Sequence, residues 1–267
     1  MCGFIGRLSL DQKSIFERDI NDSLKLMKHR GPDEQKVEKG SYWDFGFCRL
    51  SILDLTNSGS QPMFSEDRSS IMLFNGEIYN FIELRNILVK NNIKVKSTGD
   101  TEVLLNILKI YGSEGLKLLN GMFSLAFFDF NKKKLLLARD RAGKKPLIYY
   151  KDENKIIFGS EQKAICDHDD INMELDYISI NQYFCFGYIK SPRTIFKHLK
   201  KLDPGHFIEL SLLDNSSDIK TKPYWNLNYN PDYSLSENDW IEKTESILID
   251  AVKMRLRSDV RVGTFLS

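Results

Sequence analysis

Apolar residues recur along the chain with two different periods, which predict helices in some segments and strands in others. Helical spacing predicts helices at 15–28, at 81–91, after Asp100 and at 236–257. Asp100 stands where an N-cap is expected, directly before an apolar face that includes Leu104 and Ile107. Runs of apolar residues predict strands at 3–10, 43–49, 71–74, 93–96, 121–130, 134–139, 147–150, 156–159 and 206–212.

The order of these elements predicts an α+β fold. Strands and helices come in blocks, so antiparallel sheets flanked by helices are favoured over a doubly wound parallel sheet. The polar stretch 212–235 is predicted to be a linker. The helix at 236–257 and a strand at 260–266 are too little chain to bury a core alone. We therefore expect one domain over 1–211 and the beginning of a second, truncated domain over 236–267.

Composition and charge narrow the class of protein. Of 267 residues, 42% are hydrophobic and 28% are charged, as in an ordinary globular chain. Lys and Arg total 38 against 37 for Asp and Glu, a balance without bulk attraction to nucleic acid or to a membrane surface. No apolar run approaches the roughly 20 residues of a membrane span, and the N-terminus lacks the apolar core of a signal peptide. The expected compartment is the cytoplasm.

The cysteines offer one candidate nucleophile. None of the four belongs to a CxxC pair, so neither a disulfide framework nor a structural zinc site is expected, and no metal ligand is assigned. Cys2 becomes the N-terminal residue if Met1 is removed, and its α-amino group can then act as the base for its own thiol. The alternative is a cysteine at position 2 without a function.

Asn75 and Gly76 follow a predicted strand and supply two hydrogen-bond donors. The Asn75 side-chain amide and the Gly76 N–H can converge on one oxygen and form an oxyanion hole. The alternative is an ordinary Asn-Gly turn.

Two charged residues suit the recognition of an amino acid. Arg49 ends a predicted strand, and its guanidinium group can grip a carboxylate through two parallel donors. Asp100 can hold an ammonium group. The alternatives are a surface arginine and a simple helix cap.

Two charged loops are interpreted as structural rather than catalytic. The loop 29–33, His-Arg-Gly-Pro-Asp, is expected near the site without a chemical role for His29. The run 139–146, Arg-Asp-Arg-Ala-Gly-Lys-Lys-Pro, is expected to be a solvated turn or an ion-pair network between domains.

Taken together, these motifs resemble the glutamine-dependent asparagine synthetases. The resemblance is collinear from residue 2 to the chain end. Its strongest parts are the six residues from Asn75 to Asn80, Asn-Gly-Glu-Ile-Tyr-Asn, and the four from Arg49, Arg-Leu-Ser-Ile. It is supported by Met-Cys-Gly at 1–3, His-Arg-Gly-Pro-Asp at 29–33, Gln-Pro-Met at 61–63, Thr-Gly-Asp-Thr-Glu at 98–102 and Arg-Asp-Arg-Ala-Gly at 139–143.

The resemblance implies a class II glutamine amidotransferase domain with a four-layer αββα fold of the N-terminal-nucleophile type. Cys2 would attack the side-chain amide of glutamine, and Asn75 and Gly76 would stabilise the oxyanion. Arg49 would bind the substrate carboxylate and Asp100 its α-ammonium group. The pocket would be completed by Glu77 and by the backbone of Leu50, Ser51, Ile52 and Leu53. This half needs no cofactor.

The resemblance also implies a second domain that binds ATP, Mg²⁺ and aspartate. Its Ser-Gly-Gly-x-Asp-Ser loop would begin at Ser267, so Leu266 is the one nearby candidate for a nucleotide contact. A related amidotransferase with another carboxylate acceptor, for surface sugar or antibiotic synthesis, is an alternative, as is a non-catalytic relic. The intact set of site residues argues against the relic, and a homodimer is left open.

Overall fold

A computed structural model describes residues 1–13, 16–168, 171–213 and 219–265. The helices are α1 (Ile20–Leu26), α2 (Phe81–Lys90), α3 (Thr101–Tyr111), α4 (Gln162–Cys166), α5 (Tyr177–Phe186) and α6 (Glu237–Arg255). The strands are β1 (Gly3–Ser9), β2 (Glu34–Lys39), β3 (Trp43–Arg49), β4 (Met63–Phe64), β5 (Ser70–Ile78), β6 (Gly121–Asp129), β7 (Lys134–Arg139), β8 (Ile148–Lys151), β9 (Lys155–Gly159), β10 (Leu199–Lys201), β11 (His206–Ser211) and β12 (Thr221–Pro223).

The strands form two antiparallel sheets of six strands each. The first sheet has the order β10-β8-β9-β1-β3-β2, and the second has the order β12-β11-β7-β6-β5-β4. β1 lies inside the first sheet between β9 and β3. β5 pairs with β6 along its whole length but with the two-residue β4 only near its start, so the end of β5 has an open outer edge.

Three apolar clusters stack the molecule into four layers. The middle cluster joins the two sheets, with Phe4, Phe45 and Phe158 from one side against Leu73 and Phe128 from the other. A second cluster packs α2 and α3 on the outer face of the second sheet. A third packs α1 and α4 on the outer face of the first sheet. This αββα arrangement confirms the predicted fold class.

The helix predicted at 15–28 is shorter in the structure. Position 15 lies outside the described residues, and helix α1 begins only at Ile20. Asp19, in an extended conformation, caps it by accepting the Asn21 N–H at 3.1 Å, and residues 16–18 before it are not helical. The amphipathic pattern therefore extends to residues before Asp19, the N-cap at which the helix begins.

Two predicted strands are absent and one is longer than predicted. No strand forms at 93–96, because Ile93 and Val95 pack on the cluster around α2 and α3 without a pairing partner. No strand forms over the described part of 260–266, which ends at 265. β5 continues through Asn75 and Gly76 to Ile78, where a turn was the alternative.

The C-terminal part of the chain contacts the rest through few side chains. β12 and the buried Tyr224 lie within the predicted linker 212–235 and extend the second sheet. α6 has no buried residue. Beyond it, Arg257 donates to both carboxylate oxygens of Glu83 at 2.8 and 2.9 Å. Within the described residues, no helix is both long enough and apolar enough to cross a membrane.

Candidate active site

A cavity of about 60 Å³ opens where the start of β1, the end of β3, the outer edge of β5 and the start of α3 meet. Its lining combines a thiol, two acidic groups, two basic groups and backbone from the loop after β3. The lining residues are Met1, Cys2, Arg49, Leu50, Ile52, Leu53, Gly59, Gln61, Phe74, Asn75, Gly76, Glu77, Asp100, Thr101 and Lys145.

The Cys2 thiol lies directly before the start of β1 and is held by hydrogen bonds. The Leu50 N–H donates to Cys2 Sγ at 3.3 Å, and Arg30 Nε donates to the Cys2 carbonyl oxygen at 3.0 Å. Burial raises the pKa of the Cys2 thiol, while the Leu50 N–H and the positive charges of the N-terminus, Arg49 and Lys145 oppose that rise. The thiol is therefore fixed in position and surrounded by groups that favour its thiolate.

The outer edge of β5 presents a row of N–H groups to the cavity. Phe74 N–H donates to Gln61 Oε1 at 2.7 Å, and Ile78 N–H donates to Asp100 Oδ2 at 2.8 Å. Alternate residues of a strand point their N–H groups to the same side. Gly76 lies midway between Phe74 and Ile78, so its N–H faces the same open edge. A Cβ on Gly76 would lie 2.1 Å from the Met122 carbonyl oxygen, and glycine is required there.

The Asn75 side chain has an unused donor. Asn75 is 1% exposed, and its Nδ2 has no hydrogen-bond partner among the described residues. A buried amide nitrogen without an acceptor costs free energy, on the order of 1–3 kcal/mol. Asn75 and Gly76 together present two donors to the cavity, as an oxyanion hole requires.

Arg49 is buried rather than on the surface. Its guanidinium group donates to the Thr56 carbonyl at 2.9 Å and to the Asp54 carbonyl. It also lies 3.6 Å from the Glu34 carboxylate. A Cβ on Gly59 would lie 2.4 Å from Arg49 Nη2, so this glycine makes room for the guanidinium. Since arginine has five N–H donors, Arg49 can hold its loop and keep donors for the cavity.

Asp100 precedes α3 but does not cap it with its side chain. The carboxylate instead accepts the Ile78 N–H, and it is fully buried at the cavity. Burial raises the pKa of Asp100 to about 7, and the nearby Glu77 charge adds to the rise. An ammonium group bound in the cavity would stabilise the ionised form.

Glu77 and Lys145 form an opposite-charge pair across the cavity. Burial raises the pKa of Glu77, and Lys145 opposes that shift. Lys145 is 5% exposed and Asp140 is 1% exposed, although the run 139–146 was expected to be a solvated turn or an interdomain network. That expectation was wrong at these two positions, because the Asp140 carboxylate turns inward and accepts the Phe123 and Lys145 N–H groups.

Comparison with known families decides the assignment. A profile described as "Glutamine amidotransferase domain" matches residues 1–225. The chain belongs to the glutamine amidotransferase domain family.

Relatives of this amidotransferase domain are longer proteins. The chain is 36% identical over 270 residues to asparagine synthetase [glutamine-hydrolyzing] 1 of Bacillus subtilis, with 100% of the chain and 42% of that protein covered. It is 36% identical over 281 residues to asparagine synthetase 2 of the same organism, covering 100% of the chain and 37% of that protein. The chain thus spans less than half the length of these two relatives.

Solved structures agree on the fold. The glutamine phosphoribosylpyrophosphate amidotransferase of Bacillus subtilis, complexed with ADP and GMP, superposes with a TM-score of 0.56 at 16% identity. The match covers 86% of this chain and 50% of that one.

The amidotransferase cavity gathers nearly all the residues predicted for it. Cys2, Arg49, Leu50, Ile52, Leu53, Asn75, Gly76, Glu77 and Asp100 line it. Ser51 does not, since its N–H donates to Asp33 at 2.8 Å. His29 pairs with Glu161 at 2.9 Å, away from the cavity lining. Leu266 lies outside the described residues.

Six lining residues were not predicted for the site: Met1, Gly59, Gln61, Phe74, Thr101 and Lys145. The Gln61 side chain accepts from and donates to the Phe74 backbone, as a strand partner would. Gln61 belongs to the Gln-Pro-Met motif already noted, but nothing in the local sequence distinguishes Lys145 from Lys144, which is exposed.

Proposed function

We propose that this domain hydrolyses glutamine to glutamate and ammonia through a thioester on Cys2. The proposal requires removal of Met1, after which the Cys2 α-amino group is free. That amine takes the thiol proton, and Sγ attacks the side-chain amide carbon. The C–S bond forms, the C–N bond breaks, and the α-ammonium group returns its proton to the departing ammonia. Water then hydrolyses the thioester.

The remaining residues hold the substrate in place. Asn75 Nδ2 and the Gly76 N–H receive the oxygen as it becomes negative. Arg49 binds the substrate α-carboxylate through its free donors, and Asp100 binds the α-ammonium group. Charge-assisted hydrogen bonds of this kind are roughly twice as strong as neutral ones.

One observation supports this proposal most directly. The Asn75 amide nitrogen is buried at the cavity with no acceptor in the described residues, while Cys2 lines the same cavity. A donor left unpaired beside a nucleophile fits an oxygen that carries negative charge only during the reaction.

The longer relatives extend the proposal to the whole protein. We propose that the ammonia is used for ATP-dependent amidation of aspartate to asparagine; the relatives are named as glutamine-hydrolysing asparagine synthetases. Aspartate, ATP, Mg²⁺ and a homodimeric assembly belong to this wider proposal, with the cytoplasm as the compartment.

Substitution of the nucleophile tests the core of the proposal. Cys2→Ala should lower glutamine hydrolysis by about a thousandfold or more, because the attacking sulfur is removed. Cys185→Ala is the matched control, since Cys185 is exposed and far from the cavity lining. Ammonia release is the measurement.

Labelling and intact mass complete the test. A diazo-ketone analogue of glutamine should add one equivalent at Cys2 in a protein that lacks Met1. Labelling at Cys48, Cys166 or Cys185 instead, or full activity in Cys2→Ala, would contradict the proposal.

A further inference from the structure

Lys145 is a buried cation with a rigid backbone. The Asp140 carboxylate accepts the Lys145 N–H at 3.0 Å, and Arg139 Nε donates to the Lys145 carbonyl at 2.8 Å. The side chain then enters the cavity and is 5% exposed. Lysine is almost never buried without a partner, so its surroundings need an explanation.

The hydrogen-bond partner of the Lys145 side chain is Met1, which the proposed function requires to be removed. Lys145 Nζ donates to Met1 Sδ at 3.1 Å, and no other hydrogen bond is found for Nζ in the described part of the chain. Removal of Met1, which the proposed function requires, takes this sulfur away. The ammonium group then faces the cavity, and leaving it unpaired would be costly.

The other cations near Cys2 form hydrogen bonds that do not involve Met1. Arg49 donates to the Thr56 and Asp54 carbonyls. Arg30 donates to the Cys2 carbonyl and to Glu161. Lys145 is thus the cation whose hydrogen-bonding capacity becomes free when Cys2 becomes the N-terminus.

Charged groups of several elements face Lys145. Glu77 of β5 and Cys2, which precedes β1, attract its ammonium group most strongly, Asp140 attracts it further, and Arg30 repels it. Burial lowers the pKa of the Met1 amino group, and Lys145 lowers it further; Lys145 also opposes the burial that raises the pKa of Cys2. Both effects favour the proposed reaction, since the amine must be neutral to accept the thiol proton and the sulfur must lose that proton to attack.

We propose that Lys145 is a positioning residue of the nucleophile site, whose ammonium group, released from Met1, favours loss of the Cys2 thiol proton and keeps the new α-amino group neutral until it accepts that proton. This inference rests on the proposed function, because it assigns Lys145 a role in the same reaction. Glu77 carries the opposite charge in the same cavity, so Lys145 and Glu77 together contribute no net charge. Without Lys145, Glu77 would remain in the cavity lining without this cation to offset its charge.

The test uses thiol chemistry that does not depend on glutamine. Lys145→Met removes the charge at similar length, Lys145→Arg retains it, and Lys144→Met is the control at the exposed neighbour. Iodoacetamide alkylation is followed from pH 5 to 10 by peptide mass, with Cys185 as an internal reference. Glutamine hydrolysis is measured over the same range, and thermal melting confirms that each variant is folded.

A nearby charge typically shifts a pKa by one unit or more, so Lys145→Met should move the Cys2 alkylation curve and the acid limb of kcat/KM up by about one pH unit. At pH 7 the alkylation rate of Cys2 should fall about tenfold, whereas Cys185 is unaffected. Lys145→Arg should show little of this shift, because it retains the charge. Lys144→Met should resemble the unsubstituted chain.

The outcomes separate the two proposals. Identical alkylation curves for Lys145→Met and the unsubstituted chain overturn the role of Lys145, even if glutamine is hydrolysed. A Lys145-dependent curve in a protein that lacks Met1 but releases no ammonia supports that role and contradicts the proposed function. If Lys145→Met does not fold, Lys145→Gln takes its place, and a retained Met1 contradicts both proposals.

Discussion

Helices α3 and α6 were both predicted from the helical spacing of apolar residues, but they have different surroundings. Six residues of α3 are buried, from Thr101 to Leu108, against the second sheet and α2. α6 is longer, with a Ser236 capping box at its start, yet none of its residues is buried. The comparison teaches that periodicity and capping predict a helix, while burial depends on whether the chain supplies a second layer.

Matched isoleucines in the two helices give the largest expected difference. Ile107 is 0% exposed in α3, and Ile247 is 64% exposed in α6. Ile107→Ala should lower the free energy of unfolding by about 2–5 kcal/mol, because it leaves a cavity in the core. Ile247→Ala should change it by about 0.5 kcal/mol or less. Urea titration measures both, and equal costs would mean that α6 is buried in solution.

The Asp100 carboxyl gives a second difference, seen as a dependence on pH. Its pKa of about 7 lies above the ordinary value of 3.8 because of burial. Between pH 4 and pH 7 the unfolded chain releases this proton while the folded chain retains it. Stability therefore falls as pH rises through this window.

The isosteric Asp100→Asn variant isolates that contribution. Each pKa unit corresponds to about 1.4 kcal/mol, so the variant should gain a few kcal/mol relative to the unsubstituted chain between pH 4 and pH 7. Other carboxyl groups titrate equally in both proteins and cancel in the difference. A constant difference across this range would show that Asp100 ionises normally.

Substrate binding should respond to Asp100 in the opposite direction. An ammonium ion needs the ionised carboxylate, so KM for glutamine should rise as pH falls below about 7, in step with protonation of Asp100. Asp100→Asn should raise KM by at least about tenfold, since a hydrogen bond to a charged group contributes about 1.5–3 kcal/mol. Steady-state kinetics at several pH values measure this effect. An unchanged KM would reduce Asp100 to a structural role.

The local motifs singled out Cys2, Arg49 and Asn75, and the structure brings these three residues to one cavity. The sequence did not predict that Asn75 and Gly76 lie inside a strand. That outcome depends on β6, a distant part of the chain, where Ser124 and Phe123 lie opposite Asn75 and Gly76. An Asn-Gly pair carries no local sign of such partners.

Lys145 and the segment 93–96 show the same limit. Charge alone predicts solvent for Lys145, but the inward turn of Asp140 brings it to the cavity. The alternation of Ile93 and Val95 predicts a strand, but it reflects only packing on the core. Tertiary partners decide both cases.

The smallest expected effect concerns how the end of α6 is held. Arg257 forms a two-pronged pair with Glu83, and Asp259 accepts the Asp54 N–H at 2.8 Å. The pair is partly exposed, with side-chain exposures of 27% and 54%. Exposed pairs contribute about 0.2–1 kcal/mol. Glu83→Gln and Arg257→Gln, singly and together, should therefore show a coupling free energy in that range.

The double-mutant cycle is needed because Arg257 also donates to the Tyr79 carbonyl at 2.6 Å, and both proteins that carry Arg257→Gln lack this hydrogen bond. Its contribution cancels in the cycle, which leaves the pair with Glu83 alone. Glu245→Gln on α6 is the control, since Glu245 is exposed and takes no part in this ion pair. A coupling well above 1 kcal/mol would place the anchoring of the chain after α6 nearer to that of α3, and the contrast between the two helices would then lie in polar interactions rather than in apolar burial.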